Sequence, residues 1–175
     1  EILENAQKTN VVIFDKTGTL TYGKLKISQI KNYSDIPEKE LLQIVGSIES
    51  KTTHPIGKAF TDYLEENKIP KLEVKEFGNV SGYGIIGRTN NQRFIIGNAK
   101  ILDSYNIENV YKQDEKELAS NGNSIVYVVQ DEKVIALIGV NDVIRKEAVG
   151  VIKDLTNMKI ETVMLTGDNF DTAEK

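Results

Sequence analysis

The chain has no cysteine and a single histidine in 175 residues. Without cysteine there is no disulfide, no thiolate metal site and no cysteine nucleophile. One histidine also excludes the common zinc motifs, which need two or more His or Cys ligands. Long apolar runs are missing as well. None approaches the ~18–20 residues that span a bilayer, and no signal peptide is read at the start. Neither sign of charge dominates: 22 basic residues against 26 acidic ones leave −4, with the two signs interspersed. That balance gives no reason to expect a nucleic acid partner. Hydrophobic residues make up 39% and glycines number 13, which excludes disorder and fibrous repeats. The expectation is a soluble, cytoplasm-compatible globular piece of one domain or two small ones.

What is present reads as alternating strands and helices. Val11-Val12-Ile13-Phe14 is an all-apolar run, the mark of a buried parallel strand. Residues 22–33 are mixed and predict an exit loop and an edge strand. Asp35-Ile36-Pro37-Glu38 predicts a helix start with Asp35 as cap, and Leu41, Leu42, Ile44, Val45 and Ile48 follow at helical spacing. A second helix is expected after Thr53, with Ile56, Ala59, Phe60, Tyr63 and Leu64 as its apolar stripe. Short strands are expected at 72–77, 85–89 and 94–96, and short helices at 99–105 and 113–120. Residues 125–129 and 134–140 predict a hairpin turning at Asp131-Glu132. Ala148, Val151, Ile152 and Leu155 stripe a further helix, and 162–165 reads as another buried strand. The chain stops at Lys175, where the next helix is expected to begin. The pattern predicts an α/β domain, split by an inserted α+β domain and cut short at its C-terminus.

Two strings stand at the ends of the expected parallel strands. Asp15-Lys16-Thr17-Gly18-Thr19-Leu20-Thr21 follows the first, placing a carboxylate where open α/β sheets put their chemistry. Gly18 permits a tight turn whose backbone N–H groups can hold phosphate oxygens. A carboxylate attacking a phosphoryl group would form an aspartyl-phosphate. Thr166-Gly167-Asp168-Asn169 follows the second strand and offers a hydroxyl and backbone amides. Taken alone, Asp15 or the tetrapeptide is an ordinary polar turn; the pair of strings is not. Between them, Glu49 lies five residues before His54-Pro55, and Gly82-Tyr83-Gly84-Ile85-Ile86-Gly87 fits GxGxxG. The segment after these glycines reads as a strand, which is the wrong context for a dinucleotide fold. A lone histidine, likewise, is more often structural than a ligand.

The seven-residue string resembles the phosphorylation motif of P-type ATPases, within the haloacid dehalogenase superfamily. Asp142-Val143-Ile144-Arg145 resembles the family's re-entry into its phosphorylation domain. Glu49, His54, Gly82, Gly84, Gly97 and Asn98 together resemble the nucleotide-binding domain of the heavy-metal (P1B) branch. The resemblance implies a haloacid-dehalogenase-like (Rossmann-type) α/β phosphorylation domain at 1–22 and 142–175, incomplete. It implies an inserted α+β nucleotide-binding domain, an antiparallel sheet flanked by helices, at 23–141. It also implies Asp15 as phosphoacceptor, with Lys16, Thr17, Thr166, Gly167 and Asp168 around the phosphoryl group. Mg2+ would sit on Asp15 and the Thr17 carbonyl, and ATP or ADP on the six pocket residues. The implied partners are the actuator and transmembrane domains of the same pump, placing this piece on the cytoplasmic side of a membrane. The transported metal ion would not touch it. Copper is taken as the metal because that subgroup is common, whereas Glu49 and His54 do not choose between copper and zinc or cadmium. Reliable turnover from these residues alone is not expected. Two other readings are a soluble phosphatase of the same superfamily and a non-enzymatic nucleotide-binding module. Such phosphatases usually carry an acid-base aspartate where Thr17 stands, which counts against the first. A complete phosphoacceptor string would be idle in the second.

Overall fold

Large apolar side chains alternate along consecutive strands, and this period of two gives the chain a sheet with two buried faces. The computed structural model describes residues 10–15 and 19–165. In chain order the first half holds β1 (Val11–Asp15), β2 (Thr21–Asn32), α1 (Glu38–Glu49), α2 (Pro55–Glu66) and β3 (Lys75–Val80). Then come β4 (Gly84–Thr89), β5 (Gln92–Gly97), α3 (Ala99–Ser104), α4 (Lys112–Ser120), β6 (Ser124–Gln130), β7 (Lys133–Ile144), α5 (Lys146–Asn157) and β8 (Glu161–Leu165). Two compact units result. One is Leu25–Asn141, and the other comprises the described residues of Glu1–Lys24 and Asp142–Lys175.

The Leu25–Asn141 unit is organised by a six-stranded sheet in the order β2-β7-β6-β5-β4-β3, antiparallel from β3 through to β7. On one face Ile85, Phe94, Ile96, Val126, Val128, Ala136, Ile138 and Val140 pack with Leu41, Leu42, Ile44, Val45 and Ile48 of α1 and Phe60 of α2. On the other, Ile95, Tyr127, Val129 and Leu137 pack with Ile101 and Leu102 of α3 and Leu118 of α4. Neighbouring residues on one strand thus belong to different cores. A β-bulge manages the one exception: Val128 pairs with Ala136 and Val129 with Val134, so Ile135 is the extra residue. The β6–β7 hairpin turns at Asp131 and Glu132, as expected, both at positive φ (50° and 59°). Two such residues give the loop the primed-turn twist that matches antiparallel strands.

Four details depart from the sequence reading. Helix α1 is capped at Pro37 (φ −56°, ψ 140°), not at Asp35, and no side chain caps it. A residue before proline is held away from the helical region, so Ile36 cannot be in the helix; Glu38 and Glu40 in the first turn complement its dipole instead. The third strand begins at Lys75, three residues later than 72. Leu72 and Val74 pack against the core before pairing starts, and Leu72 N–H donates to Ser47 Oγ. Residues 21–32 form one continuous edge strand rather than a loop and a strand. Finally, β1 is not buried throughout: Val11 and Ile13 are 44% and 59% exposed. Among the described residues β1 pairs only with β8, and α5 is the helix packed on that pair, so one face is covered.

Candidate functional site

In the Leu25–Asn141 unit, α1 ends at Glu49 and α2 begins after His54, and the short link between them forms one wall of a cavity of about 330 Å³. The opposite wall is the β3–β4 turn, and the ends of β5 and β6 close the floor. Glu49, His54, Gly82, Gly84, Gly97 and Asn98 all line it. Residues scattered across 50 positions of sequence are therefore brought to one place. The volume falls in the range of small-molecule sites, at roughly 300–1,000 Å³.

Five of the six are held by local structure. Thr52 Oγ1 accepts from His54 N–H at 2.9 Å, and His54 Nδ1 accepts from Ile56 N–H at 3.2 Å, capping α2. A neutral imidazole accepting at Nδ1 carries its proton on Nε2, so the ring keeps one donor for a ligand. The β3–β4 turn closes with Tyr83 N–H donating to Val80 O at 2.9 Å, and Gly82 takes φ +74° within it. Asn98 clamps the same turn. Its Nδ2 donates to Gly82 O at 3.0 Å, while its Oδ1 accepts from Lys100 N–H at 3.0 Å and caps α3. Gly84 and Gly97 face each other in register. A Cβ on Gly84 would lie 2.0 Å from Ile96 O, and one on Gly97 would lie 2.2 Å from Tyr83 O. Only glycine fits at either position. Their missing side chains let β4 and β5 approach each other, while at Gly82 a Cβ would meet nothing within 4 Å, so the backbone there is bare.

Glu49 differs in kind from its neighbours. It is 6% exposed, and its carboxyl has no hydrogen bond or ion pair among the described residues. Burial without a partner penalises the charged form and pushes the carboxyl up to about 7. The cavity thus offers a buried carboxyl near its neutral point, an imidazole donor, a bare glycine backbone and the apolar floor of Ile125 and Val126. This set suits a flat, partly apolar ring with polar edges, such as a nucleobase. Sequence reasoning missed Thr52, Asn79, Ser81, Tyr83 and Ile125 on the cavity wall. For Tyr83 a signal existed, since it stands between two glycines already singled out; for the others there was none.

The second site lies in the other unit. Strands β1 and β8 are parallel and adjacent, with Asp15 in register with Leu165, so both strands leave the sheet at the same end. Asp15 is exposed there. Lys16, Thr17, Thr166, Gly167 and Asp168 lie outside the described residues. Just beyond, Asp142 accepts from Thr21 Oγ1 at 2.5 Å and from Lys24 N–H at 3.0 Å. Arg145 donates from Nε to Thr21 O at 2.9 Å and from its backbone N–H to Leu20 O at 2.9 Å. The re-entry segment singled out in the sequence therefore ties the two chain passages of this unit together. Among the described residues no cluster of three or more His, Asp or Glu groups is preformed for a metal.

The sequence model of the haloacid dehalogenase-like hydrolases matches residues 9–175. The chain belongs to this family. Within the haloacid dehalogenase-like hydrolases, its similarity runs to metal pumps. It is 33% identical over 175 residues to a probable copper-transporting P-type ATPase B of Staphylococcus aureus, covering 99% of this chain and 26% of that protein. Among solved structures, a zinc-transporting PIB-type ATPase in an E2.Pi state superposes with TM-score 0.83 at 30% identity, over 94% of this chain and 27% of that one. The catalytic domain of the CPx-ATPase CopB-B, described for its conformational changes upon nucleotide binding, gives TM-score 0.70 at 27% identity. That match covers 99% of this chain and 60% of the other. The chain spans about a quarter of the length of the curated relatives it matches. Among the described residues no helix is long and apolar enough to cross a membrane.

Proposed function

We propose that the chain is a catalytic piece of an ATP-driven metal-transporting pump of the P1B type, acting on the cytoplasmic side of a membrane. The single observation carrying this reading is the convergence of Glu49, His54, Gly82, Gly84, Gly97 and Asn98 on one cavity. In this reading 23–141 is the nucleotide-binding domain, and 1–22 with 142–175 belongs to the phosphorylation domain. The adenine end of ATP or ADP lies in the cavity, with the Glu49 carboxyl and His54 Nε2–H at its polar edges. Backbone at Gly82 approaches the nucleotide because no Cβ intervenes, and Gly84 and Gly97 let β4 and β5 close up beside it.

Asp15 is the phosphoacceptor. One carboxylate oxygen attacks the γ-phosphorus, the bond to the bridging oxygen breaks, and ADP leaves with those electrons, giving an aspartyl-phosphate. Lys16 and Thr166 offset charge on the transferring oxygens. A magnesium ion, held by Asp15 and the Thr17 carbonyl, would neutralise further phosphate charge. With threonine rather than an acid-base aspartate at position 17, no adjacent carboxylate activates water, and the acyl phosphate persists long enough to drive a conformational step. Such persistence separates a pump from a soluble phosphatase. Copper is the metal we adopt, after the Staphylococcus aureus relative. The likeness to the zinc-transporting structure favours zinc as the second reading.

The test is radiolabelled ATP on the intact parent protein, acid quench and a hydroxylamine challenge. Label that hydroxylamine removes, and that Asp15→Asn abolishes, is expected. Label surviving hydroxylamine, or persisting in Asp15→Asn, contradicts the reading.

A further inference from the structure

Gly57 stands in the first turn of α2, where helix propensity alone favours alanine over glycine. Its backbone is ordinary right-handed helix, since it is not among the positive-φ glycines, so conformational freedom does not explain it. Packing does. A Cβ at this position would lie 2.6 Å from Glu49 Oε2, 3.3 Å from Glu49 O and 3.5 Å from Glu49 Cβ. No protein contact is that short for a real Cβ, so any larger residue must displace the carboxyl. The displacement would be cheap, because nothing else anchors it: Glu49 has no hydrogen-bond partner among the described residues.

We propose that Gly57 is a positioning residue for the nucleotide cavity. By leaving out a side chain, it gives the Glu49 carboxyl a seat against the α2 backbone and thereby sets how that carboxyl meets the ligand. The effect on ligand rests on the nucleotide reading of the cavity; the seat itself does not. An added methyl moves the carboxyl off the helix and into the cavity, where it is better hydrated and takes up ligand space. The burial that now raises its titration point is relieved in the same movement.

The experiment uses the full chain and two readouts. In the free protein, the Glu49 side-chain carboxyl is followed by carbon-13 NMR across pH. Gly57→Ala should lower its midpoint from about 7 towards the ordinary carboxylate range, while a melting curve verifies that the chain still folds. Separately, a non-hydrolysable ATP analogue is titrated into wild type, Gly57→Ala, Glu49→Ala and the double variant. Gly57→Ala should weaken binding about fivefold, the size of one lost hydrogen bond, and have no effect in the Glu49→Ala background. An unmoved carboxyl midpoint overturns the proposal. So does a Gly57→Ala effect that persists without Glu49. A moved carboxyl with unchanged affinity keeps the seat and overturns the ligand half of the proposal, whereas an analogue that does not bind wild type contradicts the cavity reading itself. Should Glu49→Ala fail to fold, the carboxyl midpoint decides alone: unmoved in Gly57→Ala, it overturns the proposal.

Discussion

Glu49 is where one residue couples the cavity to the stability of the whole fold. Its carboxyl holds a proton up to about pH 7 in the folded chain, against an ordinary value of 4.5, because it is buried without a partner. Below pH 4.5 the group is protonated folded or unfolded, and its contribution is fully present. Between 4.5 and 7 the unfolded chain ionises while the folded one does not, so stability drains away as pH rises. Above 7 the loss levels off at about 3 kcal/mol. Glu49→Gln keeps the shape and cannot ionise. Denaturant unfolding at pH 5 and pH 8 should therefore show the variant gaining about 2–3 kcal/mol on wild type between the two. Parallel pH slopes for the two chains would contradict this account. The sequence showed Glu49 as a member of a constellation, but its burial depends on α1 packing against α2, which no local pattern announces.

At the scale of elements, the strongly periodic segments were legible and the boundaries were not. The α1 and α2 stripes, the β6–β7 hairpin and its Asp131-Glu132 turn follow from spacing and turn chemistry. The Asp35 cap failed because a proline two positions later moves the helix start beyond itself. The third strand shifted because Leu72 and Val74 look like strand residues yet serve the core from a loop. The α2 start shows a double use that sequence could not reveal: His54 is both a cavity residue and the cap, accepting from Ile56 N–H. Losing that cap should cost about 1 kcal/mol in His54→Ala. His54→Asn restores a capping oxygen and should recover stability, while nucleotide affinity stays low because the ring donor is gone. If His54→Asn recovers both, the imidazole has no part in binding.

For the whole molecule, the sequence carried the two-part plan because motif order alone separates it: the Asp15–Thr21 string, an intervening block, then Asp142–Arg145 and the Thr166–Asn169 string. The structure adds that Asp15 and Leu165 are register partners on adjacent parallel strands, despite 149 intervening positions. It also adds that the inserted block gathers its six marked residues on one cavity. What sequence could not supply was the wall between them, since Thr52, Ser81 and Ile125 have no distinguishing pattern of their own. The central claim is that this cavity takes the nucleotide. Titrating ATP into the nitrogen-15-labelled chain tests it most directly, with every backbone amide as a separate reporter. Shifts should cluster at Glu49, His54, Gly82, Gly84, Gly97 and Asn98, saturate together, and fade in His54→Ala. Saturable shifts that cluster elsewhere, with residues 82–87 unmoved, would contradict it.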